Sequence, residues 1–218
     1  MSRAIKLAIV VATLLASAAQ AKGAIILSDD FDPGVQPGAW ANLTNAAALG
    51  NAQPGFLSGN ALWFNGNGLR SATTVPLNVS SGGTISFAFR GGNELFNGET
   101  WWEDSEDSFE WADLWYSVDG VNFVLLQELS TTQDRLENPT GWNPYSIAIP
   151  LAAQSSTTQF RFVQRSHSGD GYDHWAIDNL QVDAVAEVPE PASLAIWGLA
   201  SLGLAYGARR ARQQRRTE

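Results

Sequence analysis

The sequence predicts an all-β fold, an antiparallel jelly-roll β-sandwich, flanked by an N-terminal signal peptide and a C-terminal transmembrane helix. Three observations predict it. Short apolar runs alternate with period two through the middle of the chain, separated by turns rich in Gly, Asn and Ser. No segment there carries the 3.6-residue apolar spacing of an amphipathic helix. The two unbroken apolar stretches lie at the chain ends, each beside basic residues. The 218 residues therefore divide into a leader over 1–21, one domain over 22–187 and a C-terminal segment over 188–218.

The leader has the parts of a secretory signal. Arg3 and Lys6 supply the positive start, residues 7–15 an apolar run, and Ala19-Gln20-Ala21 a small-residue cleavage site. The run is too short for a bilayer core, which takes about 20 residues. Export with cleavage is the expectation.

In the domain, the first strand is expected over residues 25–31. Residues 42–52 are Ala-rich, but Asn42, Asn45, Gly50 and Asn51 interrupt them, and the stretch reads as loop. Strands follow at 61–65 and 69–74. After the turn Ser81-Gly82-Gly83, the residues Ile85, Phe87 and Phe89 share one face. Leu114, Tyr116 and Val118 alternate likewise and meet Asp119-Gly120, a hairpin signal, before residues 123–129 run back. Tyr145, Ile147 and Ile149 make another set, as do Phe160 and Phe162. The last strand starts near Trp175 and ends near Val182. Its apolar phase shifts between Ile177 and Leu180, which predicts a bulge or a switch of sheets. Roughly eight to ten short strands indicate a sandwich, and the domain length suits a jelly roll.

The C-terminal segment holds an apolar stretch over 192–208, followed by Arg209, Arg210, Arg212, Arg215 and Arg216. It reads as a membrane helix whose arginines stay on the cytoplasmic side. Before it stands Val188-Pro189-Glu190-Pro191, stiff and extended because Pro fixes its own backbone and restricts the preceding residue. That order (Pro-Glu-Pro, apolar span, arginine tail) resembles the PEP-CTERM sorting signal of Gram-negative bacteria. The resemblance implies that an exosortase-type membrane protease recognises Pro189, Glu190 and Pro191. It also implies a transient inner-membrane anchor, release to the cell surface or beyond, and association with exopolysaccharide or biofilm.

Several phrases in the domain carry a second resemblance. They are Asp29-Asp30-Phe31, Ala61-Leu62-Trp63-Phe64, the hairpin from Tyr116 to Phe123, and Asp173-His174-Trp175-Ala176-Ile177-Asp178-Asn179-Leu180. In that order they are similar to jelly-roll domains of the reelin-repeat and MAM-like kind. This resemblance implies a structural calcium ion, carried here by Asp30 and Asp178.

Composition excludes several classes. There is no cysteine, hence no thiol catalysis, disulfide framework or Cys-based metal site. The chain carries −9 overall, but residues 22–187 hold six basic and twenty acidic residues, so the domain alone carries −14. Nucleic acid is excluded as a partner, since phosphate contacts need clustered Lys and Arg. Nine Trp, ten Phe and four Tyr supply a large core.

Candidate sites follow from residue type. Calcium takes six to eight oxygens. Neighbouring first and last strands bring Asp29, Asp30 or Asp32 towards Asp173 and Asp178, so Asp30, Asp173 and Asp178 are the metal candidates. The alternative is that these acids cap turns. Residues 99–113 hold seven acids and three tryptophans. That mixture suits rings that stack on sugar faces beside carboxylates that bind hydroxyls or cations, and equally a long acidic loop. Trp101, Trp102 and Trp142 are the stacking candidates, while Trp111 and Trp115 suit a buried strand. The two histidines, His167 and His174, share one loop and lack a glycine-framed nucleophile. The expectation is an exported, non-enzymatic surface or matrix protein. The alternative is a lectin-like carbohydrate-binding module; a glycan-active hydrolase is disfavoured because no catalytic constellation emerges.

Overall fold

In the computed structural model, which describes residues 23–50, 57, 59–92, 102, 110–130, 141–166, 169–170 and 172–185, the chain forms strands wherever apolar alternation is clean. They are β1 (Ala24–Asp29), β2 (Trp40–Thr44), β3 (Ala46–Leu49), β4 (Ala61–Phe64), β5 (Ser71–Thr74) and β6 (Gly83–Gly91). They continue as β7 (Ala112–Ser117), β8 (Val124–Leu129), β9 (Asn143–Ala148), β10 (Gln159–Gln164) and β11 (Trp175–Ala184). One 3₁₀ turn, Leu151–Ala153, follows β9.

The strands make two antiparallel sheets. A five-stranded sheet has the order β2-β5-β10-β7-β8. A six-stranded sheet has the order β3-β4-β11-β6-β9, with β1 also paired to β11. β4 takes residues 175–177 of β11 and β1 takes residues 180–184, so two strands share one edge of it. Between these halves the pairing with β6 slips at Asp178/Gln181, and Asn179 adopts a positive φ of 52°. That bulge is the expected phase shift.

The core lies between the sheets. Phe87 of β6 meets Phe162 of β10 edge to face at 5.0 Å, and Phe64 stacks on Trp175 at 3.6 Å. Arg70 is wholly buried and donates to the carbonyls of Gly66, Gly169 and Asp173 and to Gln164 Oε1. It ties the turn before β5 to the loop before β11, satisfying carbonyls that water does not reach. The β7–β8 hairpin turns at Asp119-Gly120, where Gly120 has φ 75°. The Asp119 carboxylate accepts from the backbone N–H groups of Asn122 and Val121, which hold its pKa far below the ordinary carboxylate range.

Two expectations need correction. Residues 40–49 are β2 and β3 rather than loop. Asn45 divides them with a positive φ of 49°, turning the chain from one sheet into the other. Its side-chain amide donates to the carbonyls of Asn67 and Leu69 and pins the crossing. The asparagines that argued against a strand are the device that breaks one strand into two. The second correction concerns fold class and localisation. The fold is a two-sheet antiparallel sandwich, and among the described residues no helix is long and apolar enough to cross a membrane. The membrane-helix and inner-membrane-anchor assignments are therefore withdrawn. Residues 1–21 and 188–218, on which those readings fell, lie outside the described residues.

Candidate functional site

Of the tryptophans expected to stack on a ligand, Trp102 is buried and Trp142 is partly buried against it. Trp102 is 2 % exposed and packs with Ala61, Trp63 and Ala176 on the outer side of the six-stranded sheet. Trp142 meets it edge to face at 6.0 Å, and the Arg90 guanidinium lies 4.0 Å over its ring. These residues cover a sheet face. Trp101 lies outside the described residues.

The acids expected to hold calcium are committed elsewhere. Asp29 accepts from the backbone N–H groups of Phe31 and Gln36 and from Trp40 Nε1, at 2.7–2.9 Å. Asp30 accepts from Asp32 N–H, and Asp32 from Asn60 N–H. Asp173 is buried, with its carbonyl held by Arg70. Asp178 accepts from the N–H of Asn179, and its second carboxyl oxygen is buried without a hydrogen-bond partner among the described residues. Burial, reinforced by Asp32, Asp30 and Asp29, pushes the Asp178 carboxyl up to about 7. Among the described residues no group of three or more His, Cys, Asp or Glu side chains is placed to hold a metal ion. The calcium assignment is corrected accordingly: no such cluster forms among the described residues, and Asp29, Asp30, Asp32 and Asp178 accept from neighbouring backbone N–H groups.

His174 is 1 % exposed, its Nε2 3.0 Å from Asn65 Oδ1 and its ring 4.8 Å from Trp63. It is a packed histidine. His167 lies outside the described residues.

The open feature is on the other sheet. Strand register across the five-stranded sheet aligns Asn42, Thr73, Arg161, Trp115 and Leu125 in one row. A parallel row holds Thr44, Ser71, Val163, Asp113 and Glu128. Their neighbours along each strand, such as Ala72, Leu114, Phe160 and Phe162, point into the core. These residues therefore form the outward face. Leu69, at the approach to β5, and Phe123, at the start of β8, wall the middle of it into a groove of about 330 Å³. Its floor is Ser71, Thr73, Trp115, Arg161 and Val163, with Asn42 at one side.

The groove is chemically mixed. Leu69 is 57 % exposed. Trp115 is half-buried, and its Nε1 is shielded from water with no partner among the described residues. Arg161 donates from Nε to Thr73 Oγ1 at 3.0 Å, and its guanidinium lies 3.5 Å over the Phe123 ring. Beside it Arg165 donates to both oxygens of Asp113 at 2.7 Å and to Glu128 at 2.6 Å. These bonds raise the Arg165 pKa and cancel its charge.

Sequence reasoning did not find this groove, because its residues span positions 42 to 163 and meet only through strand register. The available signal was phase. Trp115 stands between inward Leu114 and Tyr116, and Arg161 between inward Phe160 and Phe162.

A family model described as reelin subrepeat B matches residues 50–183, from the end of β3 to the end of β11. The chain belongs to the reelin subrepeat B family. Among solved structures, this subrepeat is similar to the K3 cleaved adhesin domain of Lys-gingipain from Porphyromonas gingivalis. That match has a TM-score of 0.50 at 15 % identity, covering 75 % of this chain and 99 % of that one. The C-terminal CBM6 of LamC from Zobellia galactanivorans matches at a TM-score of 0.40 and 14 % identity, covering 72 % of this chain and 97 % of that one. The CBM35 of Paenibacillus barcinonensis matches at a TM-score of 0.39 and 18 % identity, covering 68 % and 94 %. At these identities the likeness is one of fold.

Proposed function

We propose that the protein is an exported, non-catalytic, lectin-like carbohydrate-binding domain, and that the groove on the outer face of the five-stranded sheet is its binding site. The observation that carries this is the cross-strand row Asn42–Thr73–Arg161–Trp115–Leu125, in which an aromatic ring stands beside amide, hydroxyl and guanidinium groups. A sugar ring has an apolar C–H face and a polar rim. The C–H face meets the negative face of an aromatic ring, and the hydroxyls take the surrounding donors and acceptors. Among the described residues the lining holds no carboxylate or histidine, and what it supplies is shape and hydrogen bonds. Its volume falls in the range of small-ligand sites, about 300–1,000 Å³. Export is supported by the reading of residues 1–21.

The test is a glycan array with the purified full chain, followed by titration of intrinsic tryptophan fluorescence with each hit. Binding that disappears in Trp115→Ala, with a cooperative melting transition retained, is the expected result. Absence of binding to every glycan, or binding indifferent to Trp115→Ala, would overturn the reading.

For residues 188–218 we propose processing at Pro189-Glu190-Pro191 by an exosortase-type protease, with extracellular polysaccharide as the destination. What supports this is the order of sequence elements in that segment. An unchanged product mass in Glu190→Ala would remove it.

A further inference from the structure

We infer that the groove selects an acidic glycan, one whose sugars carry carboxylates as uronates do, and that Arg161 is the residue that selects it. The inference rests on the carbohydrate-binding reading and adds the class of sugar.

The contrast between two arginines, one on β10 and one just past its end, carries it. Arg165 has two carboxylates on its guanidinium. Arg161, four residues earlier and also outward, has no ion pair among the described residues, although the domain holds twenty acidic residues against six basic ones. One hydrogen bond, from Nε to Thr73 Oγ1, fixes the plane of its guanidinium, and the Phe123 ring supports one face. The terminal N–H groups remain for a ligand. Partial burial lowers the Arg161 pKa, the mark of a cation that has lost water without gaining an anion.

A carboxylate satisfies this arrangement better than a hydroxyl. The guanidinium fork matches two carboxylate oxygens, and the paired charge-assisted bonds are shorter and stronger than neutral ones. Stacking on Phe123 holds the fork in place before the ligand arrives, which reduces the entropy lost on binding. In the same row, Trp115 offers a ring face to the sugar that carries the carboxylate. The other acids repel a polyanion at a distance, but beyond about 8 Å that repulsion is screened at physiological ionic strength. Recognition is then decided at Arg161.

The experiment compares polygalacturonate with the same polymer after its carboxyls have been reduced to alcohols, using the full chain. Selective uptake of the acidic polymer is expected, with affinity for it falling roughly tenfold or more in Arg161→Gln. Arg161→Lys should recover part of that loss, since it restores charge without the fork. Equal binding of the two polymers by the unaltered protein would overturn acid selection while leaving the glycan site standing. That comparison needs no variant to fold. Failure to bind either polymer or any neutral glycan would overturn both readings. Arg161→Gln with an unchanged preference for the acidic polymer would overturn the role of Arg161 alone.

Discussion

Two outer faces of the sandwich have been treated in opposite ways. On the six-stranded sheet, Trp63 is covered by Trp102 and Trp142, and Arg90 closes over Trp102. On the five-stranded sheet, Trp115 and Phe123 line an uncovered groove, and the arginine over the ring faces outward. Both faces combine tryptophan with a stacked arginine, so composition does not distinguish them. What differs is whether the chain supplies its own lid. A face the protein covers itself adds to the core; a face it leaves open, with donors unpaired, is available to something else.

The largest effect that would break this comparison is Trp102→Ala. Removing a fully buried indole costs about 3–5 kcal/mol, so a large fall in melting temperature is expected, with glycan affinity unchanged in whatever remains folded. A lost affinity with little change in stability would instead make the covered face the binding face.

A second test uses pH. Asp178 follows Ala176 on the outward side of β11 and pairs with Ala88, so it belongs to the covered face. Folded Asp178 keeps its proton up to about 7, against an ordinary value of 3.8. The folded state therefore binds more protons than the unfolded state between those values, and this residue's contribution to stability falls as pH rises through that window. Below about pH 4 Asp178→Asn should melt with the parent. At pH 8 it should be more stable by a few kcal/mol at most, each tenfold in proton affinity being about 1.4 kcal/mol. Thermal melts of the pair across that range read the difference. A gap that does not widen with pH would remove the buried acid from the account.

The smallest stability effect is expected at Trp115→Ala. The ring stands at a half-exposed groove, and its loss should cost roughly 1 kcal/mol by melting, while carbohydrate affinity is abolished. A melting loss as large as that of Trp102→Ala would mean that the two faces are built alike.

Most of the architecture was legible because period-two alternation reports directly which residues face a core. β6, β7, β9 and β10 were visible in that way, β8 through the hairpin turn before it, and the bulge at Asp178 through its break of phase. β2 and β3 were hidden because alanine and asparagine carry little alternation, and because one asparagine with a positive φ divides the run. The candidate site was less legible. Residues 99–113 drew attention through local density of Trp and acid, yet the described part of that stretch lies against the fold at Trp102 and Glu110. The groove residues are each unremarkable in their own neighbourhood. Only the pairing of five strands assembles them, and register is a tertiary property.

β11 has a consequence for when the domain folds. Among the described residues it is the last strand in chain order and also the strand to which β1, β4 and β6 all bond. Until residue 184 has been made, those three have no common partner, and the long-range pairings that define the sheet cannot close. Closure of the six-stranded sheet is therefore deferred until β11 is available. Truncation before β11 would leave the six-stranded sheet without its centre.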